Sequence, residues 1–268
     1  MNKLFAIIVL PISLLLVNIS LAGEPDIKLH EKCLYPTVRI DSGDGSGFGS
    51  GVIVRSEELE NKQYMNVVLT CKHVAVNLVD PNVIFTTYTD WSVPTGFKSF
   101  PATVYLNHPQ YDLAIVLFIS YKKMPCAELG MDEKLYVGDE LMSFGCALRQ
   151  PPRLDTGKIS GVLPNSLRAD LISVPGDSGG PVFHNYKLVG IKQAFFGVDL
   201  IENAPPSPIF DFAVQVRIAV LKPWAESDKK AGLPFKEDAT LPELPVLMLQ
   251  ARQLKDIRFI HPLLRLMP

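Results

Sequence analysis

Little in this 268-residue chain suggests a metal, a nucleic acid or a membrane. His30, His108 and His184 show no metal-ligand spacing to another His, Cys or acid, and no metal or other cofactor is expected. The charge is nearly balanced, with 26 Lys and Arg against 28 Asp and Glu, which argues against nucleic acid as a partner. Beyond the N-terminus no apolar run approaches membrane length, and no internal repeat or low-complexity tract interrupts the chain. There are only four cysteines, Cys33, Cys71, Cys126 and Cys146, and they allow three pairings.

The chain begins Met1-Asn2-Lys3, continues with an apolar stretch from Leu4 to Val17, and reaches Ser20-Leu21-Ala22, small residues where signal peptidase reads. This is the pattern of a secretory signal over residues 1–22. A membrane anchor fits less well, because the stretch is shorter than about 18 to 20 residues and is broken by Pro11. Gly23 rather than cysteine follows the cleavage point, which argues against a lipid anchor. The mature chain would keep 25 basic residues against 28 acids, with no stable membrane anchor, in a periplasmic or extracellular location. Disulfides can form there. A bridge from Cys33 to Cys126 is the preferred pairing, and free buried cysteines are the alternative.

Short β-branched or alternating runs predict strands at Pro36–Ile40, Gly51–Val54, Asn66–Thr70, Val83–Thr87, Ala102–Leu106 and Leu113–Ile119. After a connector near Ser120–Met131, a second set is expected at Leu135–Val137, Glu140–Phe144, Asp155–Gly161, Leu167–Ser173, Pro181–Phe183 with Lys187–Gln193, and Phe210–Val216. Ile218, Val220, Leu221 and Trp224 then read as one short helix. The tail 226–268 mixes apolar and basic residues and is expected to pack on the domain or stay partly disordered.

The segment that carries chemistry is Gly176-Asp177-Ser178-Gly179-Gly180-Pro181. Glycines on both sides of Ser178 permit a sharp turn in which the amides of Gly176 and Ser178 converge on one anionic oxygen. A serine nucleophile needs a base, and the base needs an orienting carboxylate. His73, just past the strand-like Val67–Thr70, is the candidate base. Asp112, at the head of the apolar run Leu113–Leu117, is the candidate carboxylate, since a charge placed there is costly without a partner. His30, His108 and His184 read as loop or turn residues. Gly176-x-Ser178-x-Gly180 also fits the nucleophile elbow of an α/β-hydrolase, whose chain order would require Ser178, Asp211 and His261. That alternative leaves the His73 and Asp112 segments unexplained and finds few helix-period stretches.

The glycine-rich strand Gly45–Val54, Leu69-Thr70-Cys71-Lys72-His73-Val74, Asp112-Leu113-Ala114 and the Ser178 turn, in that order, resemble the trypsin-like serine peptidases, and most of all the HtrA/Deg-type branch. The resemblance spans roughly Val38 to Leu221. It implies an all-β domain over 23–225 with two six-stranded antiparallel barrels, at about 33–119 and 132–217, an active site in the cleft between them and a short C-terminal helix. It also implies a serine endopeptidase acting on protein or peptide substrates, with His73, Asp112 and Ser178 catalytic and Gly176 with Ser178 as oxyanion hole. A catalytically idle fold kept for binding or scaffolding is the alternative, and a monomer is the preferred assembly.

The resemblance also has limits. Many trypsin relatives have a cysteine right after the catalytic histidine, where this chain has Val74. The 43 residues from Glu226 onward are too few for the PDZ domain that many HtrA/Deg-type proteins append. Asp177 could pair with a newly cut N-terminus, as in trypsin-like zymogens. No activation site matches, however, and a local turn hydrogen bond is the expected role. Asp41-Ser42-Gly43-Asp44-Gly45 looks like the start of a calcium loop but has Val52 where the twelfth-position acid belongs, so a glycine-rich hairpin is expected. By the resemblance, Ile172 forms the base of the primary substrate pocket, with walls at Phe195–Val198 or Phe210–Val214. A base without an acid favours an aliphatic or small substrate residue over lysine or arginine.

Overall fold

The computed structural model describes residues 26–90, 92–108, 110–196 and 212–217. The leader at 1–22, the helix read over Ile218–Trp224, the tail 226–268 and the residues Asp211 and His261 lie outside the described residues.

Six strands, β1 (Thr37–Asp41), β2 (Phe48–Glu58), β3 (Tyr64–Thr70), β4 (Asn82–Tyr88), β5 (Pro94–Asn107) and β6 (Ala114–Ser120), close a barrel in the order β1-β2-β3-β6-β5-β4. Every pairing in it is antiparallel. All six overlap runs expected from the sequence, although β2 and β5 extend well beyond the expected Gly51–Val54 and Ala102–Leu106. Strands β3 and β6 read as continuous apolar runs because both of their faces are covered. Val68, Val116 and Phe118 turn into the barrel beside Val38, Ile40, Ile53 and Val83. Their neighbours Val67, Leu69, Ile115 and Leu117 turn outward onto Phe144, Phe183, Leu188 and Ile191 from the second half of the chain.

That second half contains β7 (Glu128–Leu129), β8 (Glu140–Gly145), β9 (Arg153–Val162), β10 (Ser166–Ala169), β11 (Pro181–His184), β12 (Lys187–Phe196) and β13 (Phe212–Arg217). The sheet runs β11-β8-β9-β10-β13-β12-β7, and a further β11–β12 pairing curls it back on itself around Leu141, Ile159, Leu167, Leu171, Val182 and Val189. The result is the expected trypsin-like double barrel. Among the described residues its largely antiparallel strands, without long helices between them, speak against the α/β-hydrolase alternative, which needs helices alternating with strands.

Two strand expectations shift. Leu135–Val137 is not a strand, because it enters a turn in which the Asp139 carboxylate accepts the Tyr136 amide (2.8 Å) and leaves Tyr136 and Val137 exposed. The extra strand falls earlier, at β7, which runs parallel to β12. The run Leu167–Ser173 pairs only as far as Ala169, because Asp170 turns its carboxylate onto the Lys158 amide.

At the N-terminal side a helical turn, α1 (Ile27–Leu29), runs into π-helical His30–Leu34 and is capped by Asp26, whose Oδ1 accepts the Leu29 amide (3.0 Å). It seats Cys33 in the core between the barrels, whereas Cys126 packs against the interior of the first barrel. The preferred Cys33–Cys126 bridge is therefore not formed, and all four cysteines are free. His184 ends β11 at a hairpin whose Asn185 and Tyr186 have φ of 50° and 62°, so it is the turn residue expected.

The first barrel's interior depends most on Phe118, which is fully buried and stacked with Phe100 at 5.1 Å. Phe118→Ala is expected to lower unfolding stability by about 3–5 kcal/mol, through lost burial and a residual cavity. Urea unfolding followed by circular dichroism checks this. A loss below about 1 kcal/mol would show that the barrel collapses around the gap.

Candidate active site

Strand β3 ends at Thr70, and the chain turns at once into a short helix, α2 (Lys72–Ala75), which carries His73 to the edge of the first barrel. Asp112 lies in the loop just before β6, next to β3 in the same sheet. The antiparallel pairing of Thr70 with Ala114 is what brings two residues 39 positions apart together. His73 Nδ1 meets Asp112 Oδ2 at 2.6 Å, and the His73 amide donates to Asp112 Oδ1 at 2.8 Å. Both carboxylate oxygens thus hold one histidine. With a carboxylate on Nδ1, the proton sits there and Nε2 keeps its lone pair.

Partial burial alone would raise the Asp112 pKa. The bonds from the His73 ring and amide, with a further one from the Gln193 side chain, outweigh that and hold it below the ordinary carboxylate value. Gln193 lies on β12, so the second barrel also holds this first-barrel acid.

The Ser178 turn is docked on strand β2. The Ser50 amide donates to Ser178 O (2.8 Å), and the Ser50 hydroxyl donates to Gly176 O (2.6 Å) while accepting the Cys146 amide (2.8 Å). Gly176 has φ of +101° and Gly179 of +86°, both in the left-handed region. At Gly179 a Cβ would fall 2.1 Å from Ser50 O and 2.3 Å from Thr70 Oγ1, so only glycine permits this approach to the first barrel.

On its other side, Pro175 O accepts the Leu148 amide (2.9 Å). The N–H of a trans peptide opposes its C=O, so the Gly176 amide faces away from Leu148. Leu148 and Arg149 adopt φ of 51° and 64°, left-handed values that cost energy for residues with side chains and that cluster at functional sites. Among the described residues nothing accepts the Gly176 or Ser178 amides, so both N–H groups of this turn are unengaged there. Also among the described residues, no hydrogen bond joins Ser178 Oγ to His73, whose partners are Asp112 and Asn77.

Asp177 is fully buried. Its Oδ2 accepts the Val174 amide (3.1 Å) and pairs with Arg153 at 3.0 Å, so the expected local turn bond is present and an internal cation accompanies it. The Ile172 side chain is 58% exposed, and a buried lysine, Lys192, donates to its carbonyl at 2.9 Å. A metal would find one candidate trio here: Cys71, His73 and Asp112 offer ligand atoms within 4.8 Å of one another. Those atoms are already engaged, since Cys71 Sγ donates to Lys192 O (3.1 Å) and His73 faces Asp112. Burial, with the Asp112 charge nearby, pushes the Cys71 thiol well above its ordinary range, which disfavours the thiolate a metal needs.

Ser50, Gln193 and His108 take supporting roles that the sequence alone does not reveal: Ser50 is one of two serines set between glycines, with Ser46, and His108 reads only as a loop residue. His108 is buried after β5, and its Nδ1 accepts the amides of Gln110 and Tyr111, both at 3.1 Å, which shapes the loop that presents Asp112.

Burial, helped by the Lys72 charge, lowers the His108 pKa to about 4 from its ordinary 6.5. As pH falls, the unfolded chain therefore takes up this proton first. The stability held at this site is whole above pH 6.5 and drains away between 6.5 and 4. His108→Gln should be less stable at neutral pH but flatter over that window. Urea midpoints measured from pH 7 to about 4.5 test this, and parallel curves for the two proteins would contradict it.

Known proteins of similar sequence and structure share this arrangement of barrels. A model of the Trypsin-like peptidase domain family matches residues 49–191, more than half of the chain. Over 162 residues the chain is 29% identical to a DegP-like periplasmic serine endoprotease of Pseudomonas putida strain W619, covering 57% of this chain and 30% of that protein. Over 170 residues it is 27% identical to protease Do-like 14 of Arabidopsis thaliana, covering 59% and 36%. The chain thus spans about a third of the length of the curated relatives it matches. The serine endoprotease from Yersinia pestis superposes with a TM-score of 0.55 at 20% identity, over 75% of this chain and 65% of that one. Deg5 superposes with a TM-score of 0.51 at 18% identity, over 63% and 83%. These two likenesses concern the fold. With the matched segment spanning β2 to β12 and holding His73, Asp112 and Ser178, the chain belongs to the trypsin-like peptidase domain family.

Proposed function

We propose that the protein is an exported serine endopeptidase that cuts peptide bonds through an acyl-enzyme. The observation that carries this reading is the two-point grip of Asp112 on His73, set beside a serine turn with two unengaged amides. Ser178 Oγ attacks the peptide carbonyl carbon and passes its proton to His73 Nε2. The oxygen that becomes negative is stabilised by the Gly176 and Ser178 amides. His73 then returns the proton to the leaving amine, and a water activated by the same nitrogen hydrolyses the Ser178 ester. Asp112 keeps the imidazole in the required tautomer and stabilises its charged form. The bond between Ser178 and His73 forms as substrate closes the site, since such contacts are often long in unliganded enzymes.

Export is supported by the leader-like residues 1–22 and by relatives named as periplasmic. Among the described residues no helix is long and apolar enough to cross a membrane. The substrates are proteins or peptides, as the protease relatives imply.

Ser178→Ala and His73→Ala should each remove casein hydrolysis, a loss on the order of 10⁴ to 10⁶ in rate, with the fold unchanged. A fluorophosphonate probe should label the wild-type protein on Ser178. Activity of folded Ser178→Ala within about tenfold of wild type would refute the assignment and favour an idle fold used for binding.

At the residue before the scissile bond, valine, alanine or leucine should outperform arginine by at least about a hundredfold, with differences among the aliphatics shallow. Behind Ile172 the Asp155 and Asp177 carboxylates lie within ion-pair reach of Lys192, and Asp177 also pairs with Arg153, so their charge is already offset by internal cations. A peptide-library profile dominated by arginine or lysine would show an acid reaching the pocket.

A further inference from the structure

Behind the Ser178 turn lies a group of charges that the proposed chemistry does not use. Lys192 sits on β12 with its side chain 2% exposed. Its Nζ donates to Ile172 O at 2.9 Å and lies 3.8 Å from Asp155 Oδ2 and 4.0 Å from Asp177 Oδ2. The Ile172 amide in turn hydrogen-bonds the Asp155 carboxylate, so the two members of the buried pair grip Ile172 from both of its peptide groups. The Lys192 main chain holds the other end of the turn. Its amide donates to Gly180 O (2.8 Å), and its carbonyl accepts from the Gly179 amide (2.8 Å) and from Cys71 Sγ (3.1 Å).

We propose that Lys192 is a positioning residue whose buried ammonium and main chain together fix residues 172–180 in the shape that aims the Gly176 and Ser178 amides at one point. The inference rests on the reading of Ser178 as nucleophile. Charge balance explains why the ammonium matters. The groups facing Lys192 are Arg153 and Asp155 from β9, Asp177 from the turn itself and the Cys71 thiol at the end of β3, giving two cations for two carboxylates. Arg153 is partly exposed, so its pair with Asp177 is weakened by solvent. Without Lys192, two carboxylates share one screened cation, and an uncompensated buried charge forces the segment to rearrange or a carboxyl to take up a proton. Asp177 directly precedes Ser178, so any such shift moves the nucleophile and both amides. The cation that holds Asp177 is thus built into the fold, without a new chain end.

Burial lowers the pKa of Lys192 although Asp177 and Asp155 oppose the shift, so its proton is lost sooner than usual as pH rises. Turnover should fall on that alkaline side.

The test compares wild type with Lys192→Met, Lys192→Arg and the double variant Asp155→Asn/Lys192→Met, each checked for fold by circular dichroism. Lys192→Met should lose kcat on the order of 10², as when one oxyanion donor is misplaced, with KM changed much less. Lys192→Arg should recover most of the loss and keep its activity to higher pH than wild type, because a guanidinium does not titrate there. The double variant removes the orphaned carboxylate and so stays folded, but it still lacks the Lys192 bond to Ile172 O, so it should recover part of the Lys192→Met loss and remain about tenfold slower than wild type. A folded Lys192→Met or double variant within about threefold of wild-type kcat would overturn the proposal, as would an alkaline limb unmoved in Lys192→Arg. Ser178→Ala measured alongside separates the two readings: if it is active the nucleophile assignment fails, and if it is dead while Lys192→Met is active only the role of Lys192 fails.

Discussion

The structure depends on one contact between its halves, the seating of the Ser178 turn on strand β2. Ser50 makes three hydrogen bonds there, donating two to the carbonyls on either side of Asp177 and accepting one from the Cys146 amide. Gly179 completes the contact by bringing its backbone against Ser50 O and Thr70 Oγ1, where any side chain would clash. His73 is three residues beyond Thr70, so this seam sets where the imidazole stands relative to the serine. A shift of an ångström between the barrels would separate them, and losses of that kind are costly to catalysis.

Apolar burial holds the seam closed. Strands β3 and β6 each cover two cores at once, with alternate residues turned into the first barrel and onto the second. Burying both faces of a strand removes more apolar surface from water than burying one. It also leaves those strands little freedom to slip, since a register change by one residue would exchange the two faces. The loops that carry His73 and Asp112 leave from the ends of these two strands and inherit their rigidity.

Polar groups then set orientation within that frame. Asp112 receives bonds from His73 and Gln193, His108 shapes the loop before it, and Asp177 lies within a set of buried charges. Such groups are expensive to bury and persist only where partners satisfy them. Here the partners come from different strands, and each bond therefore fixes the position of one element against another.

The strand runs of the first barrel and the segments around His73, Asp112 and Ser178 are legible in the sequence, because alternating burial and glycine-rich turns are local properties, while the double-barrel class follows from the family resemblance of those segments. The sequence misplaced Leu135–Val137, where a side-chain bond from Asp139 ends the strand pattern, and it favoured a Cys33–Cys126 bridge between residues that pack on different cores. Lys192 carries a legible hint, a lysine placed directly after the apolar run Leu188–Ile191 and so in need of a partner, by the same reasoning that singles out Asp112. Only the tertiary structure could name those partners. Asp155, Asp177 and Ile172 lie 37, 15 and 20 positions from Lys192, and what unites them is the β8–β9 pairing and the return of β12 beneath the Ser178 turn. Spacing in sequence records none of that, because antiparallel pairing turns distance along the chain into contact across a sheet.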